Sequence, residues 1–268
     1  MHDPDHEQGA PLLDRRTLLQ AAAFSVGVAA LPGLPALLPR AALPALPAPG
    51  RAAVLRAPAG AVVRRDEDDE ALSYEDFLAR AVPAARELLG YRTRFGEDRY
   101  LLMLAALAVR LDAVPLPEFR RQNTDDESGR FIGANEAPED SPFVVLHWKL
   151  EPGAVVRHHP HTYGSVVTVG LEGETRITNY ETVEAPDYAA TGSFAVRRTQ
   201  DQVLRVHDIN IVPLSHGSVH GFVAGPDGAR GLDITTRVKD KQPGLGMELG
   251  ATLDAARALF EARWIPAN

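Results

Sequence analysis

The sequence contains no cysteine. That excludes disulfides, thiolate metal ligands, a cysteine nucleophile and a lipid-modified N-terminal cysteine. Any metal ligands must be histidine or carboxylate. The absence also fits an oxidising compartment. Basic character is scarce as well. Lys and Arg number 28 against 36 Asp and Glu, for a formal charge of −8, and no basic stripe crosses the C-terminal two thirds. This argues against nucleic acid as a partner. An uninterrupted apolar run is missing too. Ala21 to Pro39 carries no charge and is just long enough to span a bilayer, but Pro32, Pro35 and Pro39 break its second half. The 268 residues suit one domain with a sizeable core once a processed start is removed.

The start has three parts: a head with Arg15 and Arg16, an apolar middle from Ala21 to Leu31, and a small-residue tail through Ala41, Ala42, Ala45 and Ala48. Asp14-Arg-Arg-Thr-Leu-Leu-Gln20 resembles a twin-arginine export signal. The resemblance implies the twin-arginine machinery as a partner and a periplasmic or extracellular location. It also implies that any metal is loaded before export, because that route carries folded proteins. The signal is placed at residues 1–48, with cleavage between Ala36 and Ala61, and a Pro/Ala/Arg-rich linker follows at 49–72. The mature protein is expected not to be membrane-embedded.

Ser73-Tyr-Glu-Asp76 reads as a variant capping box opening a helix. Phe77, Leu78, Ala81, Ala85, Leu88 and Leu89 follow at helical spacing, and Gly90 can close it. A second helix is predicted from about Asp98 to Val114, stopped by Pro115 and Pro117, within a helical segment of 73–120. From Ser141 the period changes to that of strands. Short runs separated by Gly, Pro, Asp and Asn predict a sandwich or barrel over 121–240. Thr252–Trp264 carries Leu253, Ala256, Leu259 and Phe260 and predicts a helix in 241–268.

The chemistry concentrates in Gly153-Ala-Val-Val-Arg-His-His-Pro-His161. His159 and His161 lie two apart on an extended segment, so both rings leave one face and can hold one metal ion. His158 faces the other way and reads as a solvent-facing strand residue. Far along the chain, Ser215-His-Gly-Ser-Val-His-Gly-Phe222 supplies His220. Nearby His216 reads as a loop histidine or a proton donor at a pocket rim. His207 reads as structural, and His147 as lining a barrel face or exposed.

Gly153, His159, His161 and Gly173, at their spacing, resemble the first motif of the cupin superfamily. Asp208-Ile-Asn-Ile-Val-Pro213 with His220 resembles the second. The resemblance implies a mainly β fold: a double-stranded β-helix (jelly-roll) barrel, here with N-terminal helices and a C-terminal helix. It implies His159, His161 and His220 as metal ligands. The motif glutamate of most cupins would fall at Ser165 or Val166, so no carboxylate joins them. That feature, with Trp148 and the helices ahead of the barrel, is similar to the cysteine dioxygenase and related thiol dioxygenase branch. Members of that branch bind Fe(II) through three histidines.

The sequence departs from that branch in places. His207 stands where glycine is usual, and the loop before His220 is longer. Gly231, Asp233 and Thr235 replace the family's Ser-His-Tyr run beside the metal, which leaves Tyr163 as a substitute tyrosine. For an acidic substrate, Arg157 shares strand parity with His159 and His161 and would point into the barrel. Arg130 is the alternative, because the family's carboxylate-binding arginine precedes the first motif. The expected function is an exported non-haem iron dioxygenase-like enzyme acting on a small molecule, a thiol or small acid, with Fe(II) as cofactor. A Zn, Mn or Ni cupin enzyme of another class and a non-catalytic ligand-binding barrel stand as alternatives.

Overall fold

A computed structural model describes residues 70–91, 94–124, 127–135, 141–238 and 244–266. The expected export signal and most of the expected linker lie outside these. Helix α1 (Tyr74–Tyr91) opens as the capping box requires. The Asp76 N–H donates to Ser73 Oγ at 3.0 Å, and the Ser73 hydroxyl donates to Asp76 Oδ2 at 2.8 Å. Helix α2 (Arg94–Ala108) ends earlier than predicted. The residues beyond it are drawn into strand β2 (Leu111–Ala113), which runs parallel to β1 (Leu72–Ser73). The Arg110 side chain fixes this join by donating to the Glu70 carbonyl.

The rest is mainly β, a curled antiparallel jelly-roll of long bent strands. Two of these, β7 (Gly164–Thr182) and β10 (Ser218–Arg237), organise it. Their halves belong to different sheets. In one sheet the first half of β7 pairs with β9 (Ile209–Val212) and with the second half of β10, which also pairs with β5 (Phe143–Leu150). Strands β4 (Glu127–Ala134) and β3 (Arg120–Thr124) extend that sheet beyond β5. In the other, the second half of β7 pairs with β8 (Ser193–Leu204) and with the first half of β10, which also carries β6 (Val155–Pro160). Residues 165–169 and 175–180 thus belong to one strand, as do 221–224 and 232–237, longer than the short runs expected. Gly173, which ends the first motif, is a corner, with φ +65° and pairing to Ala229. His207, where glycine is usual, has φ +63° in the left-handed region that favours glycine.

Three apolar layers follow. α1 and α2 bury Phe77, Ala81, Leu101 and Leu104 against Val167, Ile211 and Leu232 on the outer face of the first sheet. Trp148, Val156, Ile177 and Phe222 fill the space between the sheets. Tyr180, Val196 and Val219, on the outer face of the second sheet, are covered by Met247 and Ala262. These last two belong to the largest departure from expectation. The predicted C-terminal helix is a hairpin, β11 (Leu245–Asp254) and β12 (Leu259–Pro266), whose β12 extends the second sheet beyond β8. Phe260, Ala262 and Trp264 alternate at period two onto the Tyr180 layer. The helical spacing of Leu253, Ala256 and Leu259 had no such layer to meet, and Leu253 stays exposed.

Candidate metal centre

His159 sits near the end of β6 and His161 just beyond it; His220 is on the first half of β10, directly paired with His159. The three rings converge. Their centroids lie 5.0, 4.7 and 4.8 Å apart, and one nitrogen from each can be chosen so that all lie within 4.8 Å of one another. His161 Nε2 and His220 Nε2 stand 2.8 Å apart although 59 residues separate them. Phe222 lies against His220 at 4.6 Å and stacks on Trp148 at 5.5 Å, so the cluster adjoins an apolar wall inside the barrel.

Burial and nearby charge keep His161 and His220 neutral. Burial drives the pKa of His161 and His220 well below the usual imidazole range, and the neighbouring His159 and Arg130 charges push the same way. A neutral imidazole is the form that binds metal. The His159 Nδ1–H donates to the Arg157 carbonyl at 2.8 Å, which leaves Nε2 with its lone pair. His220 Nδ1 is buried without a hydrogen-bond partner. The donor set therefore fits a borderline divalent ion: three nitrogens, two of them meeting closely, and no carboxylate or thiolate.

Arg157 does not point into the barrel. The register of β6 against β10 slips between His220 and Phe222, so Arg157 and His158 together oppose Gly221. One extra residue reverses the alternation. Val156 and His159 face inward, while Arg157 is exposed on the far side. A cavity of about 400 Å³ opens there between β6 and β11, walled by Val155, Arg157, His158, Val223, Met247 and Glu248. Gly221 is needed for this bulge, because a Cβ would meet the His158 ring at 2.7 Å. His158 faces away from the cluster as expected but is not solvent-facing. It bonds Thr178 Oγ1 at 2.7 Å and packs edge-on to Tyr180.

Arg130 is the arginine on the inner side. It pairs across β5 with Leu150, an interior residue, and its charge reaches His161, His220 and Asp233. Asp233 shares that interior with Thr168 and Val166, its neighbours on β7. It accepts hydrogen bonds from Thr168 Oγ1 at 2.7 Å and Trp148 Nε1 at 3.4 Å. Burial raises its pKa to about 6 against the opposing pull of those bonds and Arg130. Gly231 gives Trp148 its place, since a Cβ would lie 2.2 Å from the indole. Tyr163 is half-buried; burial raises its pKa, and the Asp233 charge adds to the rise. His147 is fully buried on the outer face, bonded to Asn135 at 3.1 Å, and burial lowers its pKa to about 4.

Sequence reasoning missed one polar cluster entirely. His216 is buried between two carboxylates, with Asp98 at 2.9 Å and Glu181 at 2.8 Å. It is neither a rim donor nor an idle loop residue. The only signal was the Glu97-Asp98 pair at the start of α2, which reads as an ordinary solvated first turn.

No protein-family model matches the chain, and no curated relative matches it. Among solved structures it is similar to the coconut allergen cocosin, at 18% identity and TM-score 0.31, over 42% of this chain and 29% of that one. It is similar to a mutant of Bacillus subtilis oxalate decarboxylase, at 17% identity and TM-score 0.34, over 47% and 29%. KdgF from Halomonas sp. overlaps at 18% identity and TM-score 0.32, over 45% of this chain and 88% of that one. The chain thus spans less than a third of the first two. The likeness is local, and the fold assignment rests on the strand pairing itself.

Proposed function

We propose that this protein is a metal-dependent cupin in which His159, His161 and His220 hold one divalent ion, and that it is a non-haem iron oxygenase of the thiol-dioxygenase type. One observation carries the reading: three imidazoles from two distant segments converge inside the barrel beside an aromatic wall. An all-imidazole set suits Fe, Zn, Cu or Ni. Bound Fe(II) would supply oxygen activation. The chain supplies the surroundings. Arg130 offers a guanidinium for the carboxylate of a small thiol acid. Trp148 and Phe222 exclude water from one side, Asp233 brings a titratable group into the same interior, and the half-buried Tyr163 lies within reach of the Asp233 charge. The test is metal analysis after anaerobic purification, with oxygen uptake over a panel of small thiols. Stoichiometric iron and thiol-dependent uptake support the reading.

A second reading is favoured by the Gly231, Asp233 and Thr235 positions, which lack the family's histidine and tyrosine. In it the same three histidines hold Zn or Mn, acting as a Lewis acid. Zn or Mn at one equivalent without oxygen uptake decides for it, and no stoichiometric metal decides for a small-ligand-binding barrel. Export by the twin-arginine route, with a periplasmic or extracellular site of action, is part of the proposal and is supported by Arg15, Arg16 and the apolar run after them.

A further inference from the structure

The turn that delivers His220 is held by a helix outside the barrel. Pro213 gives no N–H and no side-chain cap to the short 3-10 turn Leu214–His216, so the first N–H groups of the turn need acceptors from elsewhere. Glu97, in the first turn of α2, supplies both. Its Oε1 accepts the Leu214 N–H at 2.7 Å, and its Oε2 accepts the Ser215 N–H at 3.0 Å. The same carboxylate accepts the Ser165 hydroxyl, on the strand where the motif glutamate is missing. The next residue, Asp98, stands 2.9 Å from His216 Nε2 as an ion-pair partner, and Glu181 of β7 holds Nδ1 at 2.8 Å. Gly217 then closes the turn in the left-handed region, with its N–H on the Leu214 carbonyl and its own carbonyl accepting the Thr182 N–H. Every residue from Leu214 to Gly217 is thereby fixed, and His220 follows three positions later. Glu97, Asp98 and His216 are buried, at 7%, 4% and 7% exposure, so water does not compete for these bonds.

We infer that Glu97 and Asp98 are positioning residues for the metal centre, setting where His220 stands by clamping the turn before it. The helices are then part of the site's support. Linkage follows: if helix docking fixes the third ligand, metal binding must tighten helix docking by the same factor. This rests on the metal reading above.

The experiment uses Co(II) alone as the probe, with the whole protein carrying Glu97→Gln or Asp98→Asn, and Arg263→Gln at a surface pair as control. Affinity is read by titration, ligand geometry by the visible Co(II) absorption band, and the turn by amide exchange at Ser218–Phe222 in the metal-free protein. Both acidic variants are expected to weaken Co(II) about tenfold, the low end of what removing an outer partner of a ligand costs, and to shift the band. They are also expected to speed exchange at Ser218–Phe222, while the control does none of these. Should Glu97→Gln fail to fold, the wild-type protein decides: Co(II) must slow exchange in α2 as well as at the turn. Affinity within twofold of wild type with an unchanged band overturns the inference, as does Co(II) protection that stops at the barrel. A wild-type protein that takes up no Co(II) overturns the metal reading instead. The clamp is then judged on exchange in the metal-free variants, where no change overturns it.

Discussion

Arg157 and His159 lie two residues apart on one strand yet face opposite sides of it, and His159 Nδ1 donates back to the Arg157 carbonyl at 2.8 Å. The backbone of Arg157 thus serves the metal centre while its guanidinium serves the other face. Arg157→Gln keeps that carbonyl and should leave substrate kinetics unchanged. Arg130→Gln should raise KM for a carboxylate-bearing thiol about tenfold or more, the scale of one lost charge-assisted contact. Equal effects from the two, measured as oxygen uptake, would return Arg157 to the interior.

Single Ala substitutions at His159, His161 and His220 should each lower metal content to a small fraction of wild type, measured by elemental analysis, with far-UV circular dichroism unchanged. His158→Ala should keep its metal. It loses the Thr178 bond and the Tyr180 contact, so a stability loss of about 1–2 kcal/mol is expected in denaturant titration.

Val166 is fully buried and pairs with Thr235 on the inner side of the first sheet. Val166→Glu should therefore place a carboxylate in the interior, where the metal-bound protein should show altered metal content or spectra. A folded variant with unchanged metal binding would mean that position 166 does not reach the ion.

His216 gives the pH dependence. Burial alone would lower its pKa, but the bonds to Asp98 and Glu181 outweigh that and raise it to about 9. The folded value exceeds the unfolded one of about 6.5. The stabilisation is therefore fully present below about pH 6.5 and is lost as pH rises through about 9, on the order of 3 kcal/mol in all. Urea midpoints measured from pH 6 to 10 should fall across that window. His216→Gln should be less stable at pH 6 and should flatten the fall.

Replacing Arg15 and Arg16 with Lys keeps the charge and changes only the group that the twin-arginine pathway reads. The double variant should stay in the cytoplasm on cell fractionation. Normal export would remove the assignment.

The sequence made the cluster legible because its signal is local twice over. His159 and His161 share a face by alternation, and His220 recurs in a strand of its own. The position of His158 away from the cluster followed from the same period. Arg157 was misplaced because a bulge adds one residue, and nothing in Arg157-His158 marks it; the mark is Gly221, on the partner strand. The C-terminal hairpin was read as a helix because Leu253, Ala256, Leu259 and Phe260 satisfy helical spacing, while the alternation of Phe260, Ala262 and Trp264 gains meaning only beside Tyr180 and Val196. The clamp around His216 joins residues more than a hundred positions apart, and no local pattern encodes it.

Because β7 and β10 each run through both sheets, the two sheets share their central strands and cannot part like the halves of a shell. Local opening cannot release one sheet while the other stays protected. The slowest-exchanging amides of the two sheets should therefore exchange together, as one cooperative unit with a common opening free energy. Access to the histidines is then a matter of the ends of the strands and the loops there, not of the sheets separating.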